Sequence, residues 1–253
     1  YGRGGSVNNE NDFAVALMNR EPTIVLRHRV ARTDQSIPIN RHEHPFGMVL
    51  PTYPGAPGGF AFGTPGLDGR YVDGTSEPGL HRWTNAGTGQ VKRLFSMAAL
   101  ASQWTGRVVL CDLIWCSSGI GAASSWYYSN PTPLPPRDEN GLSLGHGIRA
   151  GIVVSAGAAS SNADIAYENQ DGVSKQASLV VQNNFQPGAN VLRWFALDGS
   201  DTGIRRITGF IWHDTITAND HRLVLLRPIA EVSAAPGSAD WQQCGLSKMY
   251  DNT

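Results

Sequence analysis

Two stretches of this 253-residue chain carry side chains of types that can do chemistry. The first is "NRHEHPFG" (40–47), where His42 and His44 stand two apart. On a strand, two such imidazoles share a face and can hold Zn²⁺, with His28, His146, His213 or a carboxylate completing the shell. Glu43 between them and Pro45 after them favour a plainer reading, a polar loop rim or a contact between subunits, so no metal is expected there. The second is "VLRWFALDGSDTGIRRITGFIW" (191–212), in which two apolar runs flank Asp198, Asp201, Arg205 and Arg206. Two carboxylates three apart suit a reaction or a Ca²⁺ ion. The stretch lacks the D-x-D-x-D-G ladder and later Glu of a Ca²⁺ loop. Gly199 and Gly203 permit sharp turning, and Asp201 is placed to accept backbone N–H bonds in an Asx turn. Arg205 and Arg206 fall on opposite faces of a strand, so only one of them can reach Asp198 or Asp201. The expectation is a connection between strands, with Asp198, Asp201, Gly203 and Arg205 as structural residues.

Other catalytic frames are missing. "SSGIG" and "SAGAAS" do not form the G-x-S-x-G elbow, and "GTPGLDGR" is followed by no Gly-Lys-Ser/Thr, so it is not a P-loop. The three cysteines, Cys111, Cys116 and Cys244, show no zinc spacing. Cys111 and Cys116 are five apart on one apparent strand, which predicts opposite faces and free thiols, as suits a reducing cytoplasm. No catalytic residue and no cofactor is expected.

The elements that must position these residues are strands. Charged residues make up 16% of the chain, against a usual value of roughly 25%. Its 29 Gly and 15 Pro imply many turns. Net charge is −1, which leaves no electrostatic footprint for nucleic acid, and no apolar run is long enough for a membrane-spanning helix. The chain opens at Tyr1 without an initiator Met and stops at "SKMYDNT", and reads as a processed chain or the ordered part of a longer one.

Residues 1–40 read as a polar arm, a short helical turn at "FAVALMNR" (13–20) and a first strand, "PTIVLRHRVA" (22–31). Residues 41–253 read as one β domain. Within it, 51–90 is an extended Gly/Pro-rich loop, and "SNPTPLPPRDENG" (129–141) is a possible sub-boundary. "VKRLFSMAALASQW" (91–104) is the one helix expected here, from the spacing of Leu94, Met97, Ala98 and Ala101. "GRVVLCDLIWC" (106–116) follows as a buried strand. Six strand-like segments between 147 and 232 recur at the interval of a sandwich or jelly roll. Their expected inward residues are Ile152, Val154, Leu179, Val181, Leu192, Trp194, Ile211, Leu223 and Leu225, and "NQDG" supplies a hairpin turn. The fold class is therefore mainly β, an antiparallel sandwich of jelly-roll type.

Three pieces carry a resemblance. They are "VKRLFSMAALASQWTGRVVLCDLIWCSSGIG", the hairpin "ADIAYENQDGVSKQASL", and "FALDGSDTGIRRITGF" with the following "LVLLRPIAEV" and "GLSKMYDNT". Together they resemble tailed-bacteriophage virion proteins encoded near the major capsid protein, of the minor capsid, cement or decoration type. The resemblance covers roughly 90–253. It implies a non-enzymatic virion component on the capsid surface, assembled in the bacterial host cytoplasm, whose partners are the major capsid protein and copies of itself.

Interface residues are then expected in the 51–90 loop, at Phe60, Phe62, Leu67 and Tyr71, and in the aromatic cluster Trp126, Tyr127 and Tyr128. A 40-residue stretch of this composition cannot bury enough apolar surface by itself to offset its ordering entropy, so a neighbouring subunit is its expected cover. The aromatic cluster leaves an alternative open, since tryptophan and tyrosine also stack on sugars: a carbohydrate-binding β-sandwich on a phage tail or a secreted enzyme.

Overall fold

The computed structural model describes residues 70–71, 92–93, 96–99, 106–117, 125–126, 134–154, 161–181, 191–213, 222–234, 240–243 and 248–249. Every regular element among them is a strand. In chain order these are β1 (Arg70–Tyr71), β2 (Lys92–Arg93), β3 (Ser96–Ala99), β4 (Gly106–Cys116), β5 (Ser125–Trp126), β6 (Arg149–Val154) and β7 (Ser161–Asn169). They continue with β8 (Ser174–Val181), β9 (Val191–Trp194), β10 (Ile204–Trp212), β11 (Arg222–Ala234), β12 (Asp240–Gln243) and β13 (Lys248–Met249). Two principal antiparallel sheets result, one of order β1-β4-β11-β6-β9 and one of order β5-β10-β7-β8. Two short ladders, β12-β3 and β13-β2, are also formed.

The helix expected over 91–104 is not formed. Lys92–Arg93 and Ser96–Ala99 are strands, and Ser96 pairs with Gln243 in an antiparallel ladder that runs to Ala99 opposite Asp240. Local helical spacing has yielded to a partner more than 140 residues away in the chain, the usual way in which tertiary pairing overrides propensity.

One core cluster takes side chains from both principal sheets. Ile114, Trp115, Ile148, Ala150, Ile152, Leu223 and Leu225 come from the five-stranded sheet and its approach. Ala163, Ile165, Tyr167, Ala177, Ile204, Ile207, Phe210 and Trp212 come from the four-stranded one. Phe210 and Trp212 meet edge to face at 5.0 Å, a geometry favoured by the aromatic quadrupole. Each fully buried large side chain contributes about 1.5–3 kcal/mol by leaving water.

Ile152, Leu223 and Leu225 stand in this core as expected, and Leu179 packs at its margin. Ile211 does not: it is 42% exposed. The sheet register shifts between Ile204 and Arg206 and again between Ile207 and Gly209. Two extra residues in β10 therefore make Ile204, Ile207, Phe210 and Trp212 the inward set, where strict alternation had selected Ile211. Leu192 and Trp194 also depart from expectation. They pack with Leu113, Cys116, Val224 and Leu226 in a second cluster on the other face of the five-stranded sheet. The side chains of Val154 and Val181 lie outside the described residues.

A bulge corrects the cysteine reading too. Leu225 pairs with Trp115 and Leu226 with Leu113, so Ile114 is the extra residue. Parity changes there, and Cys111 and Cys116 both belong to the second cluster rather than to opposite faces. Both thiols are free of disulfide. Cys244 lies outside the described residues.

Candidate functional site

The polar residues of greatest chemical interest meet where three connections come together: the loop 134–148 before β6, the hairpin between β7 and β8, and the turn between β9 and β10. "ENQDG" closes the hairpin, with Asn169 Oδ1 accepting the N–H groups of Asp171 at 3.1 Å and Val173 at 2.9 Å. Gly172 takes φ +77° there, which a residue with a Cβ rarely adopts. The turn "DGSDTG" docks onto this hairpin side chain by side chain. The Tyr167 hydroxyl donates to Asp201 Oδ2 at 2.6 Å and accepts the Asp198 N–H at 3.1 Å. Asn169 Nδ2 donates to Asp201 Oδ1 at 2.8 Å. Gln170 Oε1 accepts the N–H groups of Thr202 and Gly203 at 3.1 and 3.2 Å. Every polar position of "Y-x-N-Q" is thus used to hold the neighbouring turn.

Asp201 was expected to cap its own turn by accepting backbone N–H bonds. Its two oxygens instead face the Tyr167 hydroxyl and the Asn169 amide, because the hairpin supplies donors directly opposite. Asp198 makes the local bond, accepting the Gly199 N–H on Oδ1 at 2.8 Å, and its other oxygen meets Lys175 Nζ at 2.7 Å. Lys175 and that backbone bond hold the Asp198 carboxyl below the ordinary carboxylate value, while Asp198 raises the Lys175 ammonium above its own. Both groups are substantially solvent-exposed, so the pair is screened by salt. Neither carboxylate of the turn meets an arginine. Arg206 pairs with Glu168 at 3.5 Å across the sheet, and Arg205 lies over the hairpin turn near Gly172.

The third connection, 134–148, holds a carboxylate that the sequence motifs do not single out. Asp138 is fully buried, and its carboxylate accepts four backbone N–H groups. Oδ1 takes those of Asn140 at 3.0 Å and Leu142 at 2.7 Å; Oδ2 takes those of Leu144 and Gly145, each at 3.1 Å. One side chain therefore shapes the whole turn 138–145. Next to it, Arg137 grips Asp112 of β4 through Nε at 3.2 Å and through Nη2, which also reaches the Leu113 carbonyl at 3.3 Å. Arg227 of β11 approaches the same carboxylate at 3.4 Å. Residues 134–141 of the expected sub-boundary are thereby stitched to the five-stranded sheet.

The loop and the turn cross at two glycines. His146 bridges Gly203 in antiparallel fashion, and the Gly147 N–H donates to the Thr202 carbonyl at 3.0 Å. His146 Nδ1 lies 3.1 Å from Thr202 Oγ1. The backbones touch so closely that a Cβ on Gly203 would stand 2.0 Å from the Gly145 carbonyl oxygen.

On the outer face of the four-stranded sheet, His213 Nε2 meets Asp164 Oδ2 at 2.6 Å. Partial burial pulls the Asp164 carboxyl upward, but hydrogen bonds from His213 and Ser178 outweigh it and hold the group below the ordinary carboxylate value. His146 and His213, considered as partners for His42 and His44 in a zinc shell, thus stand in different surroundings. His42, His44, Phe60, Phe62, Leu67, Tyr127 and Tyr128 lie outside the described residues. Tyr71 pairs with Trp115 at the edge of the five-stranded sheet, and Trp126 with Phe210 at the edge of the other. Among the described residues no group of three His, Cys, Asp or Glu side chains is placed to hold a metal ion.

Chemically the cluster is a set of acceptors already engaged by the fold. Both oxygens of Asp138 and of Asp201 already receive hydrogen bonds from the fold. Burial, then the bond to Asp201, push the Tyr167 phenol up to about 12. Its folded value stands above the unfolded 10.0, so its stabilising contribution is complete below pH 10 and is lost as pH rises through about 12. Tyr167→Phe removes the hydroxyl from between Asp201 and the Asp198 N–H, and is expected to cost about 2 kcal/mol at neutral pH. It should also flatten the fall in stability between pH 10 and 12 that the wild-type chain shows in urea titrations. An unchanged alkaline profile would mean that another group governs that limb.

No family model, no curated protein and no solved structure matches this chain.

Proposed function

We propose that this chain is a non-enzymatic structural component of a tailed-bacteriophage virion, a cement or minor capsid protein built as a β-sandwich of jelly-roll type. One observation carries the reading. The hairpin "ADIAYENQDGVSKQASL" and the turn "FALDGSDTGIRRITGF", which bear the resemblance to virion proteins, meet in space, and their polar residues bond to one another. Carboxylates used in this way brace connections; they are not held ready for a substrate. The exposed Leu142 and Leu144 on the turn braced by Asp138, and Val173 on the hairpin, suit contact with protein neighbours. Near-zero net charge suits a protein packed beside many copies of itself. In this reading the partners are the major capsid protein and copies of this chain on the capsid surface.

The test is association with particles. The full chain, added to shells of the phage that encodes it, should co-sediment in a fixed ratio to the major capsid protein. A chain lacking residues 51–76 should keep the strand signature of 147–232 by circular dichroism and fail to co-sediment. Absence of the intact chain from the particle fraction, or a ratio that rises with added protein without a plateau, would sink the proposal. Wild-type occupancy by the shortened chain would move the binding surface to the sheets.

A further inference from the structure

We propose that, of the Asn-Gly and Asp-Gly pairs among the described residues, Asp198–Gly199 is the one that converts spontaneously to isoaspartate in the folded chain, and that the fold diverts this chemistry away from Asn140–Gly141. Three pairs of this reactive type occur among the described residues: Asn140–Gly141, Asp171–Gly172 and Asp198–Gly199. In each, the glycine nitrogen can attack the preceding side-chain Cγ. An N–Cγ bond forms, the Cγ–N bond of an amide or one Cγ–O bond of a carboxyl breaks, and ammonia or water leaves with the amide proton. The product is a five-membered succinimide. Water then opens the ring at either carbonyl, and opening at the former main-chain carbonyl routes the backbone through Cβ. Starting from a carboxylate, the leaving water takes its second proton from solvent. No other reactant is needed. In a flexible peptide Asn-Gly reacts before Asp-Gly, because an amide is attacked more readily than a carboxylate.

The fold reverses that order through what each glycine N–H faces. The Gly141 N–H donates to the Asp138 carbonyl at 2.9 Å, inside the turn whose shape the buried Asp138 carboxylate sets. The Gly172 N–H donates to the Asn169 carbonyl at 3.0 Å, in a hairpin turn. Both nitrogens are turned away from the side chain they would attack. The Gly199 N–H instead points at its own neighbour's carboxylate, 2.8 Å from Asp198 Oδ1. Asp198 and Gly199 are both exposed to water, and apart from the adjoining residues no atom lies within 4 Å of where a Gly199 Cβ would stand, so packing does not resist ring closure; the Lys175 ammonium, 2.7 Å from Asp198 Oδ2, must first release the carboxyl for protonation. The extra backbone methylene would displace the Asp198 carbonyl, which accepts the Asp201 N–H at 2.8 Å, and so loosen the turn that Tyr167 and Asn169 hold.

The experiment is a timed incubation of the full chain at neutral pH, folded and in concentrated urea, followed by proteolysis. Mass spectrometry with electron-transfer fragmentation distinguishes isoaspartate from aspartate. Folded protein should accumulate isoaspartate at 198 with Asn140 intact; unfolded protein should deamidate first at Asn140. Gly199→Ala, which meets no neighbour, should slow conversion at 198 several-fold without moving the melting temperature. Deamidation of Asn140 ahead of any change at 198 in the folded chain would overturn the proposal, as would equal conversion at Asp171 and Asp198. Conversion at 198 no faster in the folded chain than in urea would remove the role given to the fold.

Discussion

Asp138→Ala lowers the free energy of unfolding by about 4–5 kcal/mol, near the top of the range for single substitutions. The carboxylate accepts four main-chain N–H groups, those of Asn140, Leu142, Leu144 and Gly145. Removing a buried acceptor costs about 1–3 kcal/mol for each donor left without a partner. The sum overstates the loss, because a turn carrying the exposed Leu142 and Leu144 can open and hydrate its own amides. Opening has its own cost: it also withdraws Gly145 from its seat against Ile204. Asp138→Asn should lose nearly as much, since the amide keeps one acceptor oxygen and turns an NH₂ toward two of the backbone donors. Urea melts at constant slope check both variants, and in a thermal scan the alanine variant should melt about 10 °C or more below wild type. A loss below about 1 kcal/mol would show that the turn closes without its carboxylate.

Gly203→Ala is expected to cost about 4 kcal/mol, beyond the usual cost of an extra methyl in a packed interior. The new Cβ would sit 2.0 Å from the Gly145 carbonyl oxygen and 2.9 Å from the Gly147 nitrogen. Both are main-chain atoms, so no side chain can rotate away. Loop and turn must separate, and the Thr202 carbonyl then loses the Gly147 N–H. Gly145→Ala should be at least as harmful, because its Cβ would meet the Ile204 carbonyl at 2.3 Å and its φ of +91° is strained for any other residue. Gly199→Ala is the control, with nothing within 4 Å, and should stay within about 0.5 kcal/mol of wild type. Soluble yield and denaturation midpoints read all three. Equal midpoints for Gly203→Ala and Gly199→Ala would mean that the crossing yields easily.

Period-two alternation holds along some strands of this chain and breaks in others. Hydrophobic runs bounded by turns located β6, β7, β8, β10 and β11 closely, because each must bury a face whatever its partner. Alternation breaks inside β10 and β4, where counting in twos turns Ile211 inward and sets Cys111 and Cys116 on opposite faces. A bulge adds one residue with no signature in composition, and each flips the parity of everything after it. The segment 91–104 failed for a different reason: Ser96–Ala99 is short and its partner, Asp240–Gln243, is remote, so its local spacing carried no trace of the pairing.

The sequence alone determined that this is a β protein, that "NQDG" closes a hairpin, and that Asp198, Asp201 and Gly203 belong to a connection between strands. These follow from side-chain period and from glycine at places where the chain must turn. Only the tertiary structure decided what those residues hold. That Tyr167, Asn169 and Gln170 grip the turn around Asp201 depends on two segments about 30 residues apart meeting in one register. That Asp138 is buried beneath four amides, with Arg137 against Asp112 beside it, could not be read from "PPRDENGLSLGHG", which is polar and rich in turn formers. A carboxylate becomes a core residue when the backbone supplies its partners, and backbone donors leave no mark in the sequence.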